Sequence, residues 1–222
     1  MEEVTKLVFL VKKDFNLFFR ASIAKVIGFS FVLVVLATFC FGQLILIDIN
    51  KQILSISALW LCFMFVGVQV LTSSIHSEGA AIKTVLLSNV SSSTYFFSKV
   101  ISISIMLTIL FALISFFFEI FFNFNFVSNF FSYFFISLFT ALGMSSVGTL
   151  FSILSSKIQN TEVSLPVVLF PLYIPIAIIG IELSRNVVLE ESFDFFWLIS
   201  ILTVNIMCLT LSWCLFEKAL RS

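Results

Sequence analysis

Apolar residues run in six long blocks along this 222-residue chain, and polar residues are confined largely to the stretches between them. The blocks cover residues 26–47, 53–75, 100–122, 130–154, 163–183 and 195–216. A helix of about 20 apolar residues crosses the ~30 Å hydrocarbon layer of a bilayer. Four of the blocks contain no Asp, Glu, Lys or Arg. In hydrocarbon each backbone polar group needs a partner within its own segment, so the pattern predicts helices rather than open strands. The expected fold is an all-α membrane protein with six transmembrane helices in residues 26–222.

Residues 1–25 carry a different pattern. Val4, Val8, Val11, Phe15, Phe18 and Ser22 recur every three or four residues, while Lys6, Lys13 and Arg20 recur every seven. This predicts an amphipathic helix on the membrane surface, apolar side in the lipid boundary and cations toward anionic headgroups. The apolar run that follows is longer than the core of a secretory signal and has no small-x-small cleavage site, so a retained segment is expected.

Composition agrees with a membrane class: 60% of residues are hydrophobic, 11% are charged, and mean hydropathy is +1.18. A soluble domain carries about 25% charged residues. The net charge of zero conceals an asymmetry. Lys6, Lys12, Lys13, Arg20, Lys25, Lys83, Lys99, Lys157, Lys218 and Arg221 fall on one side of the six-span topology, and only Lys51 and Arg185 on the other. The positive-inside rule then predicts that both termini are cytoplasmic. Glu190, Glu191 and Asp194 cluster on the outer side. No basic surface suited to nucleic acid is present.

The connectors are unequal. Those at 48–52 and 123–129 are short and face out, whereas 76–99 is long and faces in. This inner loop opens with Ser77, Glu78 and Gly79, runs through Lys83 to Leu86 and Leu87, and breaks at Ser88-Asn89. Ser91 to Thr94 suit a helix cap for a further short helix from about Tyr95, with Lys99 at the interface. A helix-break-helix loop with so many apolar residues suits a partner on the cytoplasmic side.

All three prolines of the chain, Pro166, Pro171 and Pro175, lie in the fifth block. Each removes an N–H donor and crowds the preceding turn, which predicts a kinked or unwound span. Such a span is expected to face the bundle interior or a partner, and to serve as hinge or docking surface.

Residues suited to catalysis or metal binding are sparse. Cys40, Cys62, Cys208 and Cys214 form no CxxC and sit inside spans, as small hydrophobes do. His76, the single histidine, ends the second span, and Met64, Met106, Met144 and Met207 read as packing residues. Glu119 and Glu182 sit near the outer ends of their spans, within reach of water. No nucleotide-binding G-x-x-x-x-G-K-[ST] motif and no Ser/His or paired-Asp constellation is present, so an enzyme is not expected. Nor is there the pair of matched broken helices typical of secondary transporters.

Leu59-Trp60, the inner-loop Glu78-Gly79 and Leu86-Leu87-Ser88, Lys99, and Leu165-Pro166 through Phe170-Pro171-Leu172-Tyr173-Ile174-Pro175 together resemble haem exporter protein B, the CcmB family. The chain departs from the family at Asn89, where proline is usual. The resemblance implies an ABC-2-like exporter half without its own nucleotide site, in a bacterial inner membrane or, if organelle-encoded, a mitochondrial one. It implies a CcmA-like ATPase, CcmC-like and CcmD-like membrane subunits and a second copy as partners, with haem as the handled species rather than a resident cofactor. Glu78, Gly79, Lys83, Leu86 and Leu87 would form the ATPase-coupling loop, within 76–99. The same architecture could serve another amphiphile, such as a lipid-linked glycan or a drug.

Overall fold

The computed structural model describes residues 2–20, 48–76, 91–122, 126, 128–156, 164–189 and 195–221. All six elements are α-helices: α1 (Glu2–Arg20), α2 (Asp48–His76), α3 (Ser92–Phe122), α4 (Phe130–Ser156), α5 (Ser164–Val188) and α6 (Phe195–Arg221). The helices α2 to α6 are each long and apolar enough to cross a membrane. They correspond to the second through sixth apolar blocks; the first block, 26–47, lies outside the described residues.

Every spanning helix outlasts the apolar block that predicts it. The largest extension is at α3. Its cap is Ser91, whose Oγ accepts the Thr94 N–H at 3.2 Å. The cap sits where the sequence suggests, but it does not open a separate short helix. The chain continues without a break through Lys99 into the span, giving 31 helical residues. At 1.5 Å per residue that is ~46 Å, longer than the ~30 Å hydrocarbon layer, so about three turns project beyond it or the helix tilts. No breaker stands between Ser92 and Val100, and hydrophobicity alone had marked only the lipid-matched portion.

The centre of the bundle is α4, which packs against α2, α3, α5 and α6. It is studded with small residues. A Cβ on Gly148 would lie 2.4 Å from the methyls of Leu71, and one on Gly67 of α2 would lie 2.8 Å from the end of Met144. Where lipid tails compete equally for apolar contact, helices associate through such close approach. Hydroxyls along this core, including Ser102, Thr108, Thr140, Ser146 and Thr149, donate to carbonyls three or four residues earlier in their own helices. Their polar groups are thereby satisfied without water.

The turn between α3 and α4 explains one of the acids. Glu119 accepts the backbone N–H of buried Phe126 at 2.5 Å, so its carboxylate closes the connection. Helix α5 likewise runs past its apolar block to Val188, which places Arg185 one turn beyond Glu182, and the two pair at 3.3 Å.

Candidate functional site

Two regions carry the polar contacts between helices. The first surrounds the start of α3. Glu3 of α1 receives the hydroxyl of Ser91 at 3.4 Å and that of Thr94 in a shorter hydrogen bond. The two hydroxyls are themselves 2.6 Å apart. A carboxylate here also meets the positive end of the α3 dipole. Farther along, Lys99 Nζ lies 3.3 Å from Asp14, with side chains only 6% and 13% exposed. Lys99 is therefore a buried residue of the α1–α3 contact rather than a free interfacial cation.

The end of α6 completes this collar. Leu10, Tyr95, Phe96, Val100, Leu150 and Phe216 form one buried cluster. The Phe96 and Phe216 rings stand edge to face at 5.0 Å, and Trp213 Nε1 donates to Ser93 at 3.4 Å. The face of α1 that meets α3 thus carries Glu3, Leu10 and Asp14. The predicted stripe is a neighbouring face, on which Val4 and Val8 are 67% and 59% exposed. Farther along the same stripe Val11 and Phe15 are half-buried.

The second region is the proline helix. The structure corrects the expectation of an unwound segment, because α5 is helical without interruption from Ser164 to Val188. Pro166 lies in the first turn, where no N–H partner is needed. Pro171 and Pro175 each remove one bond, leaving the carbonyls of Val167 and Pro171 without their usual helical donors. Neither proline faces the bundle interior. Both are exposed, on an outward arc with Val168, Leu172, Ile174 and Ile178.

The opposite side of α5 explains why the helix survives. Tyr173 is fully buried and donates to the Met144 carbonyl of α4 at 3.1 Å. Trp60 of α2 donates its Nε1–H to Ser184 at 3.0 Å, and Ser184 donates to the Gly180 carbonyl at 2.7 Å. The indole lies directly on Gly180, where a Cβ would come within 2.3 Å of the ring. These contacts hold α5 between its two interior prolines and beyond them.

Between α4 and α6 lies a polar group that sequence reading passed over. Asn205 is 6% exposed, and neither amide atom has a hydrogen-bond partner. Gly143 makes room for it, since a Cβ there would stand 2.7 Å from Oδ1.

Glu78, Gly79, Lys83, Leu86 and Leu87 lie outside the described residues. His76 is the last residue of α2. Met106 and Met144 are buried in the packing, and Met207 is exposed. Among the described residues no group of three His, Cys, Asp or Glu side chains is arranged to hold a metal ion. Sequence reading missed Glu3 and Asp14 altogether. Acids interspersed among the cations of this helix were the available signal, but the partners of Glu3 and Asp14 are about 90 residues away in the chain.

No curated protein and no solved structure matches the chain. The model of one family does: that described as CcmB protein matches residues 5–222, which takes in most of α1, Asp14, Lys99 and the proline helix, with Glu3 just before it. With five helices fit to cross a bilayer and a family match over nearly its whole length, this chain is a membrane protein of the CcmB family.

Proposed function

We propose that this chain is the membrane subunit of an ABC-type complex that serves haem export or haem-chaperone release in c-type cytochrome biogenesis. The observation that carries the reading is the family match over residues 5–222. The chain supplies no nucleotide-binding motif, so ATP hydrolysis falls to a separate CcmA-like subunit, and the chain itself is not an enzyme. CcmC-like and CcmD-like subunits and a second copy are the expected companions in a bacterial inner membrane. The excess of Lys and Arg on one side of the topology supports cytoplasmic termini.

In this reading the loop before Ser91 receives the ATPase. Glu78 and Lys83 set its register, while Leu86 and Leu87 supply the apolar contact. The outward arc of α5, with Pro171 and Pro175, offers a partner a rigid apolar surface held from behind by Trp60 and Tyr173.

The test replaces Leu86 and Leu87 with Asp. The variant is expected to stay in the membrane, lose the co-purifying ATPase and fail to support holocytochrome c. Retention of the ATPase together with normal cytochrome c maturation overturns the assignment. Normal maturation without the gene for this chain would favour export of another amphiphile.

A further inference from the structure

Ser91 caps α3, so a force delivered along the chain at Ser91 acts on the first turns of α3. Those turns are gripped by α1. Glu3 closes on the Ser91 and Thr94 hydroxyls, and Asp14 closes on Lys99, about 8 Å farther along α3. The two acids are eleven residues apart, three helical turns, and therefore project from one face of α1. Leu10 is buried between them.

The chemistry of this contact is informative. Purely apolar packing would bind α1 to α3 with little preference for register. A desolvated ion pair contributes little net stability but rewards one geometry, and it fails abruptly when one partner is removed. The contact has the character of a latch with a defined closed position. The uncovered Val4, Val8 and Phe9 would let α1 remain on the lipid boundary whether it is latched or not.

We propose that Glu3, Asp14 and Lys99 form a latch that fixes α1 to the first turns of α3, so that a push delivered at Ser91 moves α1 and α3 as one body. Its consequence for transport rests on the ATPase-driven reading above; the latch itself does not.

The test uses the full complex in inside-out membrane vesicles. Leu10→Cys is introduced with the four native cysteines replaced, and labelling by an impermeant maleimide is timed. The closed latch protects the thiol. Glu3→Gln with Asp14→Asn should speed labelling about tenfold or more, whereas Asp14→Glu, which keeps the charge, should stay protected. Trypsin cleavage at Lys12 and Lys13, in a chain with Leu10 intact, gives a second measure of the same opening. In the same vesicles, holocytochrome c formed per ATP hydrolysed should fall about fivefold while the ATPase stays bound.

Unchanged labelling and cleavage in the double variant overturn the latch. Faster labelling with undiminished coupling overturns its part in transmission. If the parental complex holds no ATPase, the transport reading fails instead, and the labelling still decides the latch.

Discussion

The collar and the middle of the bundle are built from different helices and held by different physics. At the collar, α1, α3 and α6 meet through carboxylates, a buried ammonium, hydroxyls and an indole N–H. In the middle, α2, α4 and α5 meet through glycines, aromatic rings and hydroxyls already satisfied within their own helices. The difference follows from solvent. Glu3 and Ser91 lie at the exposed edge of the collar, so their polar groups can find other partners when the contact opens. In the hydrocarbon there is no such alternative, and close packing must be built in permanently.

The sharpest way to break this contrast is at Gly180. Alanine there drives a methyl into the Trp60 ring, which is pinned from its other end by Ser184. The expected cost is about 3 kcal/mol, only partly offset by the better helix propensity of Ala. Reduced accumulation and a lower unfolding temperature in detergent would register it; a neutral Gly180→Ala would mean that α2 and α5 slide freely.

The collar should behave in the opposite manner, tolerating apolar substitution if it is paired. Asp14→Leu alone takes the carboxylate away from buried Lys99, at a cost of about 3 kcal/mol. Asp14→Leu combined with Lys99→Met should recover most of that stability. A double-mutant cycle on thermal unfolding measures the recovery. Strict additivity would remove the pair from the account.

A smaller effect is expected from Ser184→Ala, which leaves the Trp60 ring on Gly180 and removes the hydrogen bond that the indole donates. That bond is worth about 1 kcal/mol. Because the ring contact on Gly180 is kept, α5 should remain helical and in place. A loss equal to that of Gly180→Ala would show that the hydrogen bond, rather than ring packing, governs the middle of the bundle.

The smallest change in stability belongs to Pro171→Ala with Pro175→Ala. Both prolines lie on the outward side of an intact helix, so restoring two N–H donors should raise stability by about 0.5 kcal/mol without repacking the core. The same variant should insert normally yet impair holocytochrome c production if the proline arc receives a partner. Parental cytochrome c yield would make the prolines a feature of α5 alone.

Much of this architecture was legible in the chain because hydrocarbon imposes a simple rule on sequence. Five of the six apolar blocks reappear as helices at the expected places, and the Ser91 cap was visible from residue type. The end of α3 was harder to read, since an apolar count registers lipid contact and not helical continuity through Lys99. The prolines misled for a related reason. Their local cost is readable from sequence, but the support from Trp60, Tyr173 and Gly180 comes from other segments.

By itself, then, the sequence determined the membrane class, the placement of the spanning helices, the amphipathic pattern of residues 2–20 and the family. Each of these depends on local composition or on periodicity along one segment. Only the tertiary structure decided that Glu3 and Asp14 hold α1 to α3, that Glu119 closes a turn, that Pro171 and Pro175 point outward, and that Asn205 rests over Gly143. Those facts depend on which faces meet across long separations in the chain. In a bilayer, hydrophobicity drives every helix into lipid and does not choose between its faces, so the choice falls to small residues and to a few polar pairs.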